Sequence, residues 1–162
     1  MKQIDRLAIS EWKRLREIRS RALLDSPDAF GTTIEEHEAQ NADVWKRWIS
    51  SPSGAVFIAQ RNDADVGIAM SAPYLDRDGA AGLFGMWIAP EARGVGLAAK
   101  LIYAIIEWAR DSDCARLLLD VGDENDAAIR LYQRCGFVPT GRRSTHPAPR
   151  THLKEHELEL VL

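Results

Sequence analysis

Apolar positions in this chain switch between a helical period and the runs and alternations of strands, and the switches predict an order of elements. Gln3 to Ile9 reads as a short strand, and Ser10 as the N-cap of a helix that places Leu15, Ile18 and Ala22 on one face and stops before Pro27. Thr33 and Glu36 have the spacing of a capping box. Trp45, Trp48 and Ile49, following Asp43, predict a further short amphipathic helix with its tryptophans in the core. Two short helices are therefore expected ahead of the main sheet. Ala55 to Gln60 and Val66 to Tyr74 are strand-like on either side of Asn62-Asp63-Ala64-Asp65, the pattern of an antiparallel hairpin.

The next strand begins within Gly79 to Gly82 and runs from Leu83 to Ala89, apolar on both faces, as a central strand covered from both sides should be. After the loop Pro90 to Arg93, a helix from Gly94 sets Leu97, Leu101 and Ile105 beside Ala98, Ile102, Ile106 and Ala109. That wide face must pack on a sheet. Leu117 to Val121, apolar except for Asp120, completes a βαβ unit and so a parallel pair. Asn125 then caps a helix ending near Gly136, and Phe137 to Arg142 and Glu157 to Leu162 alternate as strands around the loop Ser144 to Arg150.

At 162 residues the chain fits one domain, 1–162, and 46% apolar with 28% charged residues is the balance of a folded globular chain. Twenty-one Lys and Arg against 24 Asp and Glu give a net charge of −3, which excludes a global positive field and argues against nucleic acid as the primary partner. The best apolar stretch, Leu97 to Ala109, holds Lys100 and Glu107 and falls short of the ~20 residues of a membrane span. The start of the chain lacks the apolar core of a secretory signal, and Cys114 and Cys135 read as packed thiols. The expectation is a cytoplasmic protein.

Arg93-Gly94-Val95-Gly96-Leu97-Ala98 stands where a strand hands over to a helix, so unpaired N–H groups and the positive end of the helix dipole meet there. Glycine at 94 and 96 lets backbone approach a phosphate, and Arg93 adds a charged donor. Two other phosphate motifs fit less well. Gly94-x-Gly96-x-x-Ala99 with Asp120 satisfies a dinucleotide fingerprint, but the strands after Asp120 supply no further βαβ windings. A Walker A loop is excluded, because no Gly-Lys-Ser or Gly-Lys-Thr follows.

Arg93-x-x-Gly96-x-Ala98, preceded by Met86-Trp87-Ile88 and Pro90, resembles the signature of the GNAT superfamily of N-acetyltransferases. Downstream, Asn125-x-x-Ala128-x-x-Leu131-Tyr132-x-x-x-Gly136-Phe137 resembles that superfamily's second motif in the expected order and distance. The resemblance implies an α/β (α+β) fold. Its mixed, mostly antiparallel sheet has about seven strands, helices on both faces and a splayed parallel pair in the centre. It further implies acetyl-CoA as co-substrate, its pantetheine arm along the backbone of Trp87 and Ile88 and its pyrophosphate on Gly94, Val95, Gly96, Leu97 and Ala98 beside Arg93. Gly85 would mark either a bulge that aims an N–H at the thioester carbonyl or a packing position.

Acetyl transfer to an amine needs a neutral nucleophile, an oxyanion site and a proton for the departing thiolate. Tyr132 matches the family's general-acid tyrosine, and Asn125 the asparagine that caps its helix and contacts the cofactor arm. Some members carry an acid on the strand before the glycine turn, but Leu83 to Ala89 contains none. Deprotonation is left among Glu35, Glu36, His37, Asp120 and a water chain. His152 and His156 are spaced like a helical metal pair, with His146 upstream, yet fall in loop and strand, so no metal is expected. The resemblance implies direct transfer from acetyl-CoA to a primary amine of a small molecule or peptide in a ternary complex, and it allows a homodimer. A catalytically idle acyl-CoA-binding module of the same fold is the alternative.

Overall fold

The computed structural model describes residues 3–74 and 77–162. Among these residues seven strands, β1 (Ile4–Arg6), β2 (Ala55–Arg61), β3 (Ala64–Pro73), β4 (Ala80–Ile88), β5 (Arg116–Gly122), β6 (Val138–Thr145) and β7 (Lys154–Val161), form one sheet in the order β1-β2-β3-β4-β5-β7-β6. Neighbours are antiparallel except β4 and β5. This is the expected mixed sheet with its parallel pair in the centre.

Among the described residues, five α-helices, α1 (Trp12–Asp25), α2 (Ile34–Glu38), α3 (Ala42–Ser50), α4 (Leu97–Asp111) and α5 (Asp126–Arg134), accompany the sheet. A Cβ on Gly67 would touch Leu101 of α4, whereas Met70 meets Arg19 of α1. An odd spacing along one strand puts α4 and α1 on opposite faces of the sheet. Leu97, Leu101, Ile102, Ile105 and Ile106 of α4 are all buried, each contributing about 1.5–3 kcal/mol by leaving water. Strong anchoring along its length fixes where the start of α4 stands.

Several local expectations are corrected. Ser10 does not cap α1: Ile9–Glu11 is a 3₁₀ turn in which the Glu11 carboxylate accepts from the Ala8 N–H at 2.8 Å and from Arg14 at 2.7 Å, so α1 begins at Trp12. Three helices, not two, precede β2. Asn41, two residues ahead of Asp43, caps α3 by accepting from the Asp43 and Val44 N–H groups. The first hairpin turns on two residues, because Asn62 and Asp63 both take the left-handed conformation that matches strand twist. Trp45 is buried as expected, but Trp48 is 39% exposed. α4 starts three residues after Gly94, and β7 starts at Lys154, three residues earlier than the alternation predicts. Among the described residues, no helix is long and apolar enough to cross a membrane.

Candidate active site

The parallel ladder between β4 and β5 is short. It pairs Ala80 with Arg116, Ala81 with Leu117 and Gly82 with Leu118, and then stops although both strands continue. On its other edge β4 pairs Phe84 with Met70 and Trp87 with Ile68, so two residues, Gly85 and Met86, oppose one. Gly85 has φ +63°, a conformation that disfavours a side chain, and the bulge adds twist that turns the end of β4 away from β5. Between the diverging strands lies a cleft of about 1750 Å³.

Backbone groups line its β4 wall. The Ala89 N–H donates to Val66 at 2.7 Å, so by strand alternation Trp87 also directs its main chain to β3, and Ile88 directs its N–H and C=O toward the cleft. The Ile88 carbonyl accepts from Arg93 Nε at 2.9 Å. Trp87 takes part through its indole, which donates to Asp25 at 3.0 Å. Asp25 also accepts from Arg93 Nη2 at 2.8 Å, and these contacts, the indole's first, hold its carboxyl below the usual range. Arg93 thus stands at the cleft mouth with its charge shared by Asp25.

The cleft ends at the start of α4. Gly94 and Gly96 have φ of +79° and +85°, and a Cβ at either would meet nothing within 4 Å, so the backbone conformation, not crowding, calls for glycine. Side-chain oxygens of Thr33, Asn41 and Asn125 cap α2, α3 and α5, but no side chain among the described residues caps α4. The first amide bonded back along α4 is that of Lys100, to Gly96 O at 3.2 Å. The amides ahead of it are a ready seat for an anion. Leu97 is buried and presents only its backbone there; Val95 is exposed and Ala98 half-buried.

Tyr132 lies on the α5 side, 7% exposed and edge-on to Phe137 at 5.8 Å. Burial pushes its phenol pKa up, so it keeps its proton at neutral pH. Asn125 is engaged by its cap, Oδ1 accepting from the Ala128 N–H at 3.3 Å. Both residues line the cleft.

On the α1 face of the sheet the cleft is acidic. Asp120 pairs across the ladder with Glu157, and Gly122 with Glu155, which puts the three carboxylates on one face. Glu157 is 1% exposed and held by Arg77 at 3.1 Å, Thr140 at 2.9 Å and the Tyr74 hydroxyl at 3.0 Å. Asp120 is open to the cleft, 3.2 Å from the same hydroxyl. Its pKa is raised because the walls displace water from it, and Glu157 adds to the effect while Tyr74 opposes it. Glu155 is raised by burial and then by Asp120 and Asp123; its Oε1 lies 3.6 Å from His146 Nε2. Burial, followed by Arg150, lowers the pKa of His146.

Glu35, Glu36 and His37, the other proton acceptors the sequence suggests, do not line the cleft. Glu36 closes the capping box with Thr33, Glu35 is exposed, and His37 is 2% exposed against Trp45 with its ring centroid 4.7 Å away. His152 lies in a turn, and His156, on β7, pairs with Asp123 at 2.8 Å. Cys114 and Cys135 are free, half-buried thiols. Glu155 and Arg19 line the cleft although sequence reasoning passed over both.

Residues 12–137 match the acetyltransferase (GNAT) family. The chain is 29% identical over 104 residues to N-acetyltransferase 8 of Homo sapiens, a match covering 62% of this chain and 46% of that protein. It is 30% identical over 125 residues to the mycothiol acetyltransferase of Thermobispora bispora, covering 75% and 41%. The chain thus spans less than half the length of these curated relatives. Among solved structures, the ribosomal-protein-alanine N-acetyltransferase from Brucella melitensis superposes with TM-score 0.78 at 20% identity, over 99% of this chain and 100% of that one. The yncA protein of Salmonella typhimurium, solved with acetyl-CoA, superposes with TM-score 0.81 at 20% identity, over 100% and 95%. Both likenesses are of fold.

Proposed function

The chain belongs to the acetyltransferase (GNAT) family, and from that premise we propose that residues 1–162 form one N-acetyltransferase domain that moves the acetyl group of acetyl-CoA to a primary amine of a small molecule or peptide. The observation that carries this reading is the ladder between β4 and β5, which breaks off after Gly82 and Leu118 and opens onto the uncapped start of α4. Bound there, acetyl-CoA supplies an activated acyl group. The amides from Gly94 to Ala98 hold its diphosphate with Arg93 alongside, and the inward-facing backbone of Ile88 extends the strand along its arm while the Trp87 indole fixes Asp25 behind. Asn125 keeps α5, and so Tyr132, at the edge of the cleft.

Transfer takes place within a complex of both substrates. The bulge at Gly85 turns an N–H toward the developing oxyanion. The amine nitrogen bonds to the acetyl carbon as the carbon–sulfur bond breaks; Asp120 takes the ammonium proton, and Tyr132 gives its own to the departing sulfur. The raised pKa of Asp120 suits it to this exchange, since a base is most effective with a pKa near the working pH.

Acetyl-CoA mixed with a panel of small amines and peptides should release thiol, and calorimetry should show acetyl-CoA binding without an amine. Binding with no release from any amine would reduce the protein to an idle acyl-CoA-binding module. Absence of binding would overturn the reading altogether.

A further inference from the structure

Among the described residues, Arg19 is an arginine that the fold leaves without a carboxylate. It sits on the inner face of α1, four residues after buried Leu15 and three before buried Ala22, half-buried and lining the cleft. Arg14, Arg77 and Arg93 each meet a carboxylate within 3.2 Å. Among the described residues Arg19 has none: Nη1 donates to the Met70 thioether at 3.5 Å, a weak acceptor, and the guanidinium stands 6.0 Å from the Trp48 ring. Withdrawing a guanidinium from water with so little return is unfavourable, and burial accordingly lowers its pKa. Such a group is completed by an anion that arrives from outside.

Its position limits what that anion belongs to. A Cβ on Gly85 would lie 3.0 Å from Arg19 Nη1, so the guanidinium rests on the bulge itself. In the acetyl-transfer reading, on which this inference rests, the reacting carbonyl points at that bulge. An attacking amine stands ~3 Å from the acyl carbon, and an anion gripped by Arg19 stands ~2.8 Å from Nη1. Amine and anion therefore lie within a few bonds of each other. Asp120 and Glu155, which attract an ammonium group, line the same cleft from β5 and β7, while Trp48 and Phe84 offer exposed apolar rings to a side chain.

We propose that Arg19 binds the carboxylate of the acceptor, and that the acceptor is a free α-amino acid with an apolar side chain. A polyamine or aminoglycoside has no anion to offer, and a peptide N-terminus has its α-carboxyl locked in an amide. Arg19 determines specificity; the proton transfers do not use it.

The test compares L-phenylalanine and L-methionine with their carboxamides, as acceptors in thiol release and as ligands in calorimetry with CoA present. A carboxamide has the less basic amine and so more free base, which makes any preference for the acid a measure of carboxylate recognition. Wild-type kcat/KM should favour the acids by about 10- to 100-fold, Arg19→Gln should bring the ratio near one, and Arg19→Lys should restore part of it. Equal use of acid and carboxamide by the wild type, or a ratio that survives in Arg19→Gln, overturns the proposal. Should Arg19→Gln fail to fold, the wild-type ratio and Arg19→Lys decide. Should no acceptor release thiol, the acetyl-transfer reading fails, and calorimetry still judges the anion site: tighter binding of the acids, lost in Arg19→Gln, upholds it, and equal binding overturns it.

Discussion

Gly96→Ala separates the anion seat from the stability of the helix that carries it. Gly96 is left-handed at φ +85°, and a methyl group added there would find no atom within 4 Å, so alanine causes no collision but costs about 1–2 kcal/mol of backbone strain. For a chain of 162 residues that is a fall in Tm of about 2–8 °C. The strain is relieved when residue 96 rotates toward negative φ, which swings the Leu97 N–H away from its present direction. Losing one charge-assisted hydrogen bond to a diphosphate weakens binding by about 10- to 100-fold. Calorimetry with CoA reads that loss, and pantetheine, which lacks the diphosphate, is the control that should bind both proteins alike. If Gly96→Ala melts lower as expected but binds CoA as tightly as the wild type, the start of α4 does not hold the diphosphate.

Tyr132→Phe should lower kcat by about 10²-fold with acetyl-CoA affinity nearly unchanged, which stopped-flow and calorimetry together would show. Its Tm should hold, because the phenol has no hydrogen-bond partner among the described residues whose loss would matter. With Asp120 as proton acceptor, kcat/KM should rise as pH climbs through its raised pKa and level off above it, and Asp120→Asn should remove that limb along with most activity. The same raised pKa means that the folded chain holds this proton more tightly than the unfolded one, so ionisation of Asp120 erodes stability as pH rises through it. Asp120→Asn should therefore melt above the wild type at pH 7 and converge with it in acid. Asn125→Ala removes the cap of α5 at a cost of about 1 kcal/mol, a fall in Tm of about 2–4 °C, whereas Asn125→Asp retains the cap and should melt near the wild type.

The strand and helix order was legible because periodicity reports burial directly. Leu83, Trp87, Ile88 and Ala89 are buried because α1 and α4 cover opposite sides of the sheet, whereas Phe84, apolar in the same run, is exposed on the cleft; the stripe of α4 is wide because it spans β2, β3, β4 and β5. Errors gathered at element ends, where the deciding contact is a hydrogen bond that apolar spacing does not encode. Glu11 displaced Ser10 by reaching back to the Ala8 N–H, and Asn41, one residue ahead of the helix, caps α3 through the Asp43 and Val44 amides. The break in the β4–β5 ladder was not legible from residues alone. Gly85 announced either a bulge or close packing, and only the register with β3 distinguishes them.

The residues proposed for the acceptor side were harder to read for a related reason. Glu155 belongs to β7, but Lys154-Glu155-His156 carries no apolar alternation, so a strand start judged by hydrophobicity falls after it. Glu35, Glu36 and His37 attracted attention as a cluster of proton acceptors, yet one is spent on a cap, one faces water and one is buried on Trp45. Arg19 did leave a signal: it shares the buried face of α1 with Leu15 and Ala22, and a charge on an apolar stripe is either paired or waiting for a partner. Sequence periodicity identifies such a position but not its neighbours. Only the fold shows that Arg19 faces a thioether and a glycine bulge in place of a carboxylate, and these neighbours turn a helix arginine into a candidate for reading the substrate.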